Sequence, residues 1–133
     1  MRFFVEHTLT IDGTEFVPTV NVNVLKENVP FLLEIEINHT SKRITLVKTN
    51  GIIYAISNTC PHQHRESLHN GYIENNCIVC PEHGWTFDLE TGENVDSSIG
   101  KQKLKKYDLV IQNQIICIKL NSLFKEKWGF DFE

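Results

Sequence analysis

The chain has 133 residues, of which 41% are apolar and 23% charged, and its formal net charge is −4. This composition is typical of one globular domain with its own core, and the negative charge argues against a nucleic-acid-binding protein. The apolar runs are far shorter than the roughly 20 residues of a membrane span, and the first residues lack the apolar stretch of a secretion signal. We therefore expect one domain over residues 1–133, in the cytoplasm, without nucleic-acid or membrane partners.

The predicted elements are strands. In residues 20–24 and 33–37 apolar residues alternate with polar ones, a period of two that indicates half-buried strands. Asp12-Gly13 predicts a tight turn near the start. Residues 1–17 and 121–133 give the weakest pattern, so we treat them as extensions of a core spanning about 18–120.

Two hairpins are predicted further along the chain. Residues 43–48 and 52–56 flank Asn50-Gly51, the strongest short hairpin signal. Residues 107–111 and 115–120 flank Asn113-Gln114 and predict a closing hairpin. Between the two hairpins, residues 60–92 interrupt the strand pattern, so we expect an antiparallel, all-β domain with a different substructure in this interval.

Cysteine and histidine are clustered in that interval. Cys60-Pro61-His62 is followed after seventeen residues by Cys80-Pro81-Glu82-His83, so two short loops each offer one thiolate and one imidazole. Thiolates are soft anionic ligands and imidazole is a neutral one, a combination suited to iron–sulfur or zinc sites. The proline after each cysteine stiffens its loop. We predict that Cys60, His62, Cys80 and His83 bind metal.

The motif and its flanks resemble the Rieske signature, and the likeness extends through residues 70–73 and 85–92 to most of the chain. It is closest to Rieske-type ferredoxins that serve oxygenases. The resemblance implies the Rieske fold: an antiparallel β-sandwich or barrel-like base with a small two-loop cluster-binding subdomain at about 58–92. It also implies one [2Fe–2S] cluster, with the cysteines on the inner iron and the histidines on the outer iron.

The implied function is one-electron transfer from a reductase to an oxygenase or similar redox enzyme, by a protein that is not itself an enzyme. Respiratory Rieske proteins carry an additional cysteine in each loop, where this chain has Arg65 and Glu82, and hydroxyl-bearing residues at the positions of Trp85 and Phe87. Without those two hydroxyl donors the reduced cluster is less stabilised. We expect a potential near the lower end of the Rieske range, about −150 mV.

Two alternatives use the same four residues. In the first alternative, the chain is a small Rieske subunit of a nitrite-reductase-like or oxygenase complex. In the second, the Cys₂His₂ set holds structural zinc. An oxygenase catalytic subunit needs a further iron domain, for which this chain has no room.

Other potential ligands have simpler explanations. Cys77 and Cys117 are expected to be packing residues, and His64 and His69 exposed loop residues. The lysines at 101, 103, 105 and 106 are expected to form a solvated face. Trp85 and Phe87 are expected to cover the cluster and exclude water.

Overall fold

The computed structural model describes residues 2–4, 7–37, 39–61, 65–81, 84–96 and 102–123, with the backbone alone for residues 2–4. Within these ranges twelve strands form three sheets. No helix in the described part of the chain is long and apolar enough to cross a membrane.

The strands are β1 (Arg2–Phe4), β2 (Leu9–Ile11), β3 (Thr14–Asn21), β4 (Phe31–Ile37), β5 (Thr40–Thr49), β6 (Ile52–Ser57), β7 (Tyr72–Glu74), β8 (Cys77–Val79), β9 (Thr86–Asp88), β10 (Lys106–Tyr107), β11 (Leu109–Gln112) and β12 (Ile115–Lys119). The sheet orders are β1-β4-β5-β6-β10, β11-β12-β3-β2 and β7-β8-β9. Strand β1 pairs with β4 in parallel, whereas the other ladders between described strands are antiparallel. The predicted all-β, antiparallel class is confirmed.

The five-stranded and four-stranded sheets form a sandwich. Alternate side chains of their strands meet in one buried core, which we call the base core; it contains Val17, Val20, Leu33, Ile35, Ile44, Leu46, Ala55, Tyr107, Ile116 and Ile118. Since successive side chains of a strand point to opposite faces, one face of each strand suffices to build this core. The sandwich is the predicted base of the molecule.

Strands β5 and β6 are buried on both faces. Leu46 and Ala55 belong to the base core, whereas their neighbours Val47 and Ile56 belong to a second core. This second core, which we call the lobe core, also contains Cys60, Leu68, Ile78, Cys80, Phe87, Leu89 and Leu104. The small sheet β7-β8-β9 therefore packs on the opposite side of β5 and β6 from the four-stranded sheet.

The turn after β9 is fastened to the base. The Tyr54 hydroxyl of β6 donates to Glu90 Oε2 at 3.0 Å, and burial, the largest cause, raises the pKa of Tyr54, which keeps this donor protonated. The Lys106 ammonium donates to the Glu90 carbonyl. The Leu104 N–H donates to the Gly92 carbonyl at 2.7 Å. These contacts hold the small sheet against β6.

Four hairpins close with two-residue turns whose residues both have positive φ: Asp12-Gly13, Asn50-Gly51, Asn75-Asn76 and Asn113-Gln114. Positive φ at both positions is the type I′ geometry that matches the twist of paired strands. The predicted turns at 12–13, 50–51 and 113–114 are confirmed. The turn at 75–76 was not predicted from the sequence.

Three sequence predictions need correction. The strand predicted over 20–24 ends at Asn21, because the Asn21 side chain accepts from the Asn23 N–H and starts a 3₁₀ turn at Val22–Val24. The strand predicted over 107–111 is two strands, which leave Asp108 between them and join different sheets. The interval 60–92 does not merely interrupt the strand pattern, because it contains the small sheet.

Replacing Gln114 by glycine should stabilise the protein. Gln114 has φ 68°, and this left-handed conformation destabilises the folded state by about 1–2 kcal/mol for a non-glycine residue. Glycine avoids that cost, but its greater freedom in the unfolded state offsets roughly half of the gain. We expect the free energy of unfolding, measured with urea, to rise by about 0.5–1 kcal/mol. The matched control Gln112→Gly, within β11, should lower it by about as much. A loss of stability in Gln114→Gly would show that the turn is not strained.

Candidate metal centre

Cys60 and Cys80 are buried in one core. Their exposed fractions are 0% and 1%, both belong to the lobe core beside Ile56, Leu68 and Ile78, and both are free of disulfides. A thiolate in such apolar surroundings is costly unless a cation pairs with it. Two thiols of one core, at the bases of two loops, therefore suit a shared metal centre.

The loops that begin at these cysteines have equal length and the same closure. The Cys60 N–H donates to the Arg65 carbonyl at 2.8 Å, and the Cys80 N–H donates to the Trp85 carbonyl at 2.7 Å. Residues 61–64 lie inside the first closure and residues 81–84 inside the second. Directly below, Thr59 bridges Glu66 and Val79 pairs with Thr86. Each cysteine thus directly precedes a four-residue loop on a paired stem.

The other two predicted ligands, His62 and His83, lie outside the described residues, as do His64 and Glu82. Their positions in the loops follow from the sequence alone: His62 is the second residue after its cysteine and His83 is the third. Binding of metal by these two histidines stays a prediction. The described residues contain no group of three or more potential ligands, and both histidines fall outside the ranges searched.

Asn58, two residues before Cys60, fixes the first loop to the base. Its Oδ1 accepts from Thr45 Oγ1 and from the His69 N–H, both at 2.8 Å, and lies 3.0 Å from His69 Nδ1. Its main chain donates to the Arg43 carbonyl and accepts from the Leu68 N–H. Asn58 is fully buried. Through these hydrogen bonds it joins β5 to Leu68 and His69, in the segment that follows the first loop.

The orientation of the Asn58 amide is determined by its partners. The His69 N–H can only donate, so the side-chain atom 2.8 Å from it is the oxygen. Among the residues that the structure describes, neither the buried Asn58 Nδ2 nor the buried Ser67 hydroxyl has a hydrogen-bond partner. Spare buried donors on both sides of the first loop fit a centre whose sulfur atoms accept hydrogen bonds.

Gly71 sets the distance between the two loop-bearing segments. It follows the 3₁₀ turn Leu68–Asn70, and a Cβ at Gly71 would lie 2.2 Å from the Val79 carbonyl oxygen, next to Cys80. That approach is possible only without a side chain. Neither Asn58 nor the spacing role of Gly71, which lies in the segment 70–73, was predicted from the sequence. An Asn just before a loop and a Gly just after it are the available signals.

Several other residues behave as predicted, and one does not. Cys117 is buried in β12, and burial raises the pKa of its thiol. Phe87 is fully buried in the lobe core, and the half-buried Trp85 lies beside it with ring centroids 6.4 Å apart; that the two rings cover the cluster stays a prediction. His69 was expected to be exposed, but it is half-buried and bonded to Asn58.

The basic stretch is largely engaged within the molecule. Lys103 pairs with Glu93 at 3.8 Å, Lys105 lies 5.1 Å from the ring centre of Tyr107, and Lys106 lies 5.6 Å from that of Tyr54. Lys101 is outside the described residues. Lys103 and Lys106 are exposed and Lys105 is half-buried, so the predicted solvated face applies to the first two.

Comparison with known proteins agrees with this geometry. The family model of the Rieske [2Fe–2S] domain matches residues 15–108. The ferredoxin component of the naphthalene 1,2-dioxygenase system of Pseudomonas putida is 34% identical over 80 residues, which are 60% of this chain and 75% of that protein. Cholesterol 7-desaturase of Hemicentrotus pulcherrimus is 27% identical over 99 residues, but the match spans only 21% of its length.

A solved structure shows the same architecture. The ferredoxin of carbazole 1,9a-dioxygenase from Nocardioides aromaticivorans superposes with a TM-score of 0.65 at 25% identity. The superposition covers 78% of this chain and 96% of the other chain. The likeness therefore extends over most of both chains.

Replacing Asn58 by leucine should loosen the metal centre. Leucine has a similar size but leaves the buried donors of Thr45 and His69 without their acceptor, at about 1–3 kcal/mol each. We expect a lower free energy of unfolding and faster loss of visible cluster absorbance in the presence of a chelator. Thr45→Val removes the hydroxyl donor but keeps the Asn58 Oδ1 acceptor, so it should lower the free energy of unfolding by at most about 1 kcal/mol. Equal effects of the two substitutions would contradict the central role of Asn58.

Proposed function

The chain belongs to the Rieske [2Fe–2S] domain family, and on that premise we propose that it is a one-electron carrier between a reductase and an oxygenase or similar redox enzyme. The chain binds a Rieske-type [2Fe–2S] cluster and is not itself an enzyme. The observation that carries the proposal is the pair of buried cysteines outside any disulfide, Cys60 and Cys80, at the bases of two equal loops. A ferredoxin component of an oxygenase system matches the chain over most of its own length.

We propose that Cys60, His62, Cys80 and His83 are the four ligands. When bound, the cluster takes up and releases one electron at a time. Because two ligands are neutral imidazoles, the site carries less negative charge than a four-thiolate site and accepts an electron more readily. The burial of both cysteines supports the assignment that they bind the inner iron, with the histidines on the outer iron.

The protein's own residues provide a rigid, dry environment. Ile56, Leu68 and Ile78 surround the two thiols and keep water away from them. The main-chain bonds that close the loops at Arg65 and Trp85 fix the positions from which the ligands project. A site whose atoms move little between the oxidised and the reduced state has a low reorganisation energy for electron transfer.

A cytoplasmic location is part of the same proposal. None of the four cysteines, Cys77 and Cys117 included, is in a disulfide. Free thiols are typical of a reducing compartment, where cysteine clustered with histidine serves metal binding more often than disulfides.

Replacing His83 by cysteine tests the ligand assignment. A third thiolate makes the site more negative, so the reduction potential should fall below the value of about −150 mV expected for the unmodified protein, and the EPR spectrum should shift towards an all-thiolate type. Protein-film voltammetry measures the potential. The control His7→Cys, at an exposed residue outside the loops, should leave both unchanged. If His83→Cys also changed neither, His83 would not be a ligand.

A further inference from the structure

The small sheet has an outer face whose side chains are ordered in rows. Tyr72 pairs with Val79, Val79 pairs with Thr86, and the Val95 N–H donates to the Thr86 carbonyl at 2.9 Å. Paired residues of neighbouring strands point to the same face. These four side chains therefore form one row, and this row lies directly below the loop that Cys80 and Trp85 close.

The row is apolar at its exposed ends. Tyr72 and Val95 are 56% and 57% exposed, the highest values among the large apolar side chains that the structure describes. A second row on the same face lies two residues further along each strand and contains Glu74, Cys77, Asp88 and Glu93. The outer face thus consists of an apolar row beside the second loop and an acidic row behind it.

The acidic row carries three carboxylates, those of Glu74, Asp88 and Glu93. Lys103 pairs with Glu93, and this pair is exposed on both sides, where such a pair contributes little. Burial and the nearby carboxylates of Asp88 and Glu74 raise the pKa of the Cys77 thiol. The face exposes two apolar side chains, Tyr72 and Val95, on either side of the buried Val79, with the acidic row as their border.

We propose that this outer face is the docking surface for a redox partner that presents an apolar patch bordered by lysine or arginine. This inference rests on the proposed electron-carrier function and specifies the partner's surface. A second copy of the chain would set acidic row against acidic row, and nucleic acids and anionic membranes are repelled in the same way. A basic protein surface is attracted, and its apolar patch would cover Tyr72 and Val95 beside the cluster loop.

The apolar part of the proposal is tested with the double variant Tyr72→Ser/Val95→Ser. The probe is an oxidised basic c-type cytochrome, whose lysine-bordered haem edge has the proposed chemistry. The measurement is the second-order rate constant of its reduction, in stopped flow, by the cluster-loaded protein that has first been reduced with dithionite and freed of excess reductant. We expect a decrease of about tenfold, equivalent to about 1.4 kcal/mol. The control Ile52→Ser removes an apolar side chain of similar exposure, 52%, from the hairpin of the base and should leave the rate unchanged.

The acidic part is tested with Glu74→Lys. We expect a lower rate at low ionic strength and convergence with the unmodified protein at high ionic strength, because salt screens exposed charges. Asp108→Lys makes the same change of net charge at an exposed position of the base and should reduce the rate far less. The dissociation constants of the oxidised pairs, measured by calorimetry at low ionic strength, should follow the same order.

A small inorganic oxidant separates this inference from the proposed function. Ferricyanide needs no docking surface, so at high ionic strength, where its own negative charge is screened, all variants should reduce it at the rate of the unmodified protein. Equal cytochrome rates for the face variants and their controls would overturn the docking surface and leave the carrier function intact. Failure of the unmodified protein to reduce ferricyanide would overturn the carrier function and this inference with it.

Discussion

The burial of β5 and β6 on both faces is the constraint on which the rest of the structure depends. On one face, side chains such as Leu46 and Ala55 close the base core, and on the other face Val47 and Ile56 support the lobe core. Strands buried on both sides contribute to two cores at once and cannot shift register without disturbing both. The lobe is therefore held at a fixed position on the base.

This fixed position extends to the two cysteines. Cys60 follows β6 closely, and Cys80 follows β8, so each thiol enters the lobe core from the end of an anchored segment. Asn58 ties the first segment to β5, and Gly71 allows its return to approach Val79. The chain thus brings two distant parts of the sequence together with little freedom, as a metal centre with ligands from two loops needs.

Much of the fold was predictable because its signals are local. Alternating residues and the turn pairs at 12–13, 50–51 and 113–114 predicted the strands and hairpins of the base, and the all-β class followed. The errors arose where a local polar contact or a tertiary partner decided the outcome. The Asn21 side chain ended a strand that the alternation of residues 20–24 would have continued. The strand predicted over 107–111 is broken at Asp108 because the residues before and after it pair with different sheets. The alternation of apolar and polar residues cannot reveal such a change of partner.

The site was predictable to a different extent. The spacing of Cys60, His62, Cys80 and His83 indicated a metal centre, and the resemblance to a family indicated which metal. The equal closure of the two loops was not predictable, because it is made by main-chain groups of Arg65 and Trp85, whose side chains carry no signal for it. The role of Asn58 was hidden for a similar reason, since its partners at Thr45 and His69 are separated from it in sequence.

The central claim is that two thiolates and two imidazoles of this chain hold a pair of bridged irons. Pulsed EPR of the dithionite-reduced protein, combined with metal and sulfide analysis, tests it most directly. The account predicts iron and acid-labile sulfide in equal amounts, two of each per chain, and hyperfine couplings from two nitrogens bound to the reduced cluster. A colourless, EPR-silent protein with one zinc per chain would contradict it, as would a cluster without bound nitrogen.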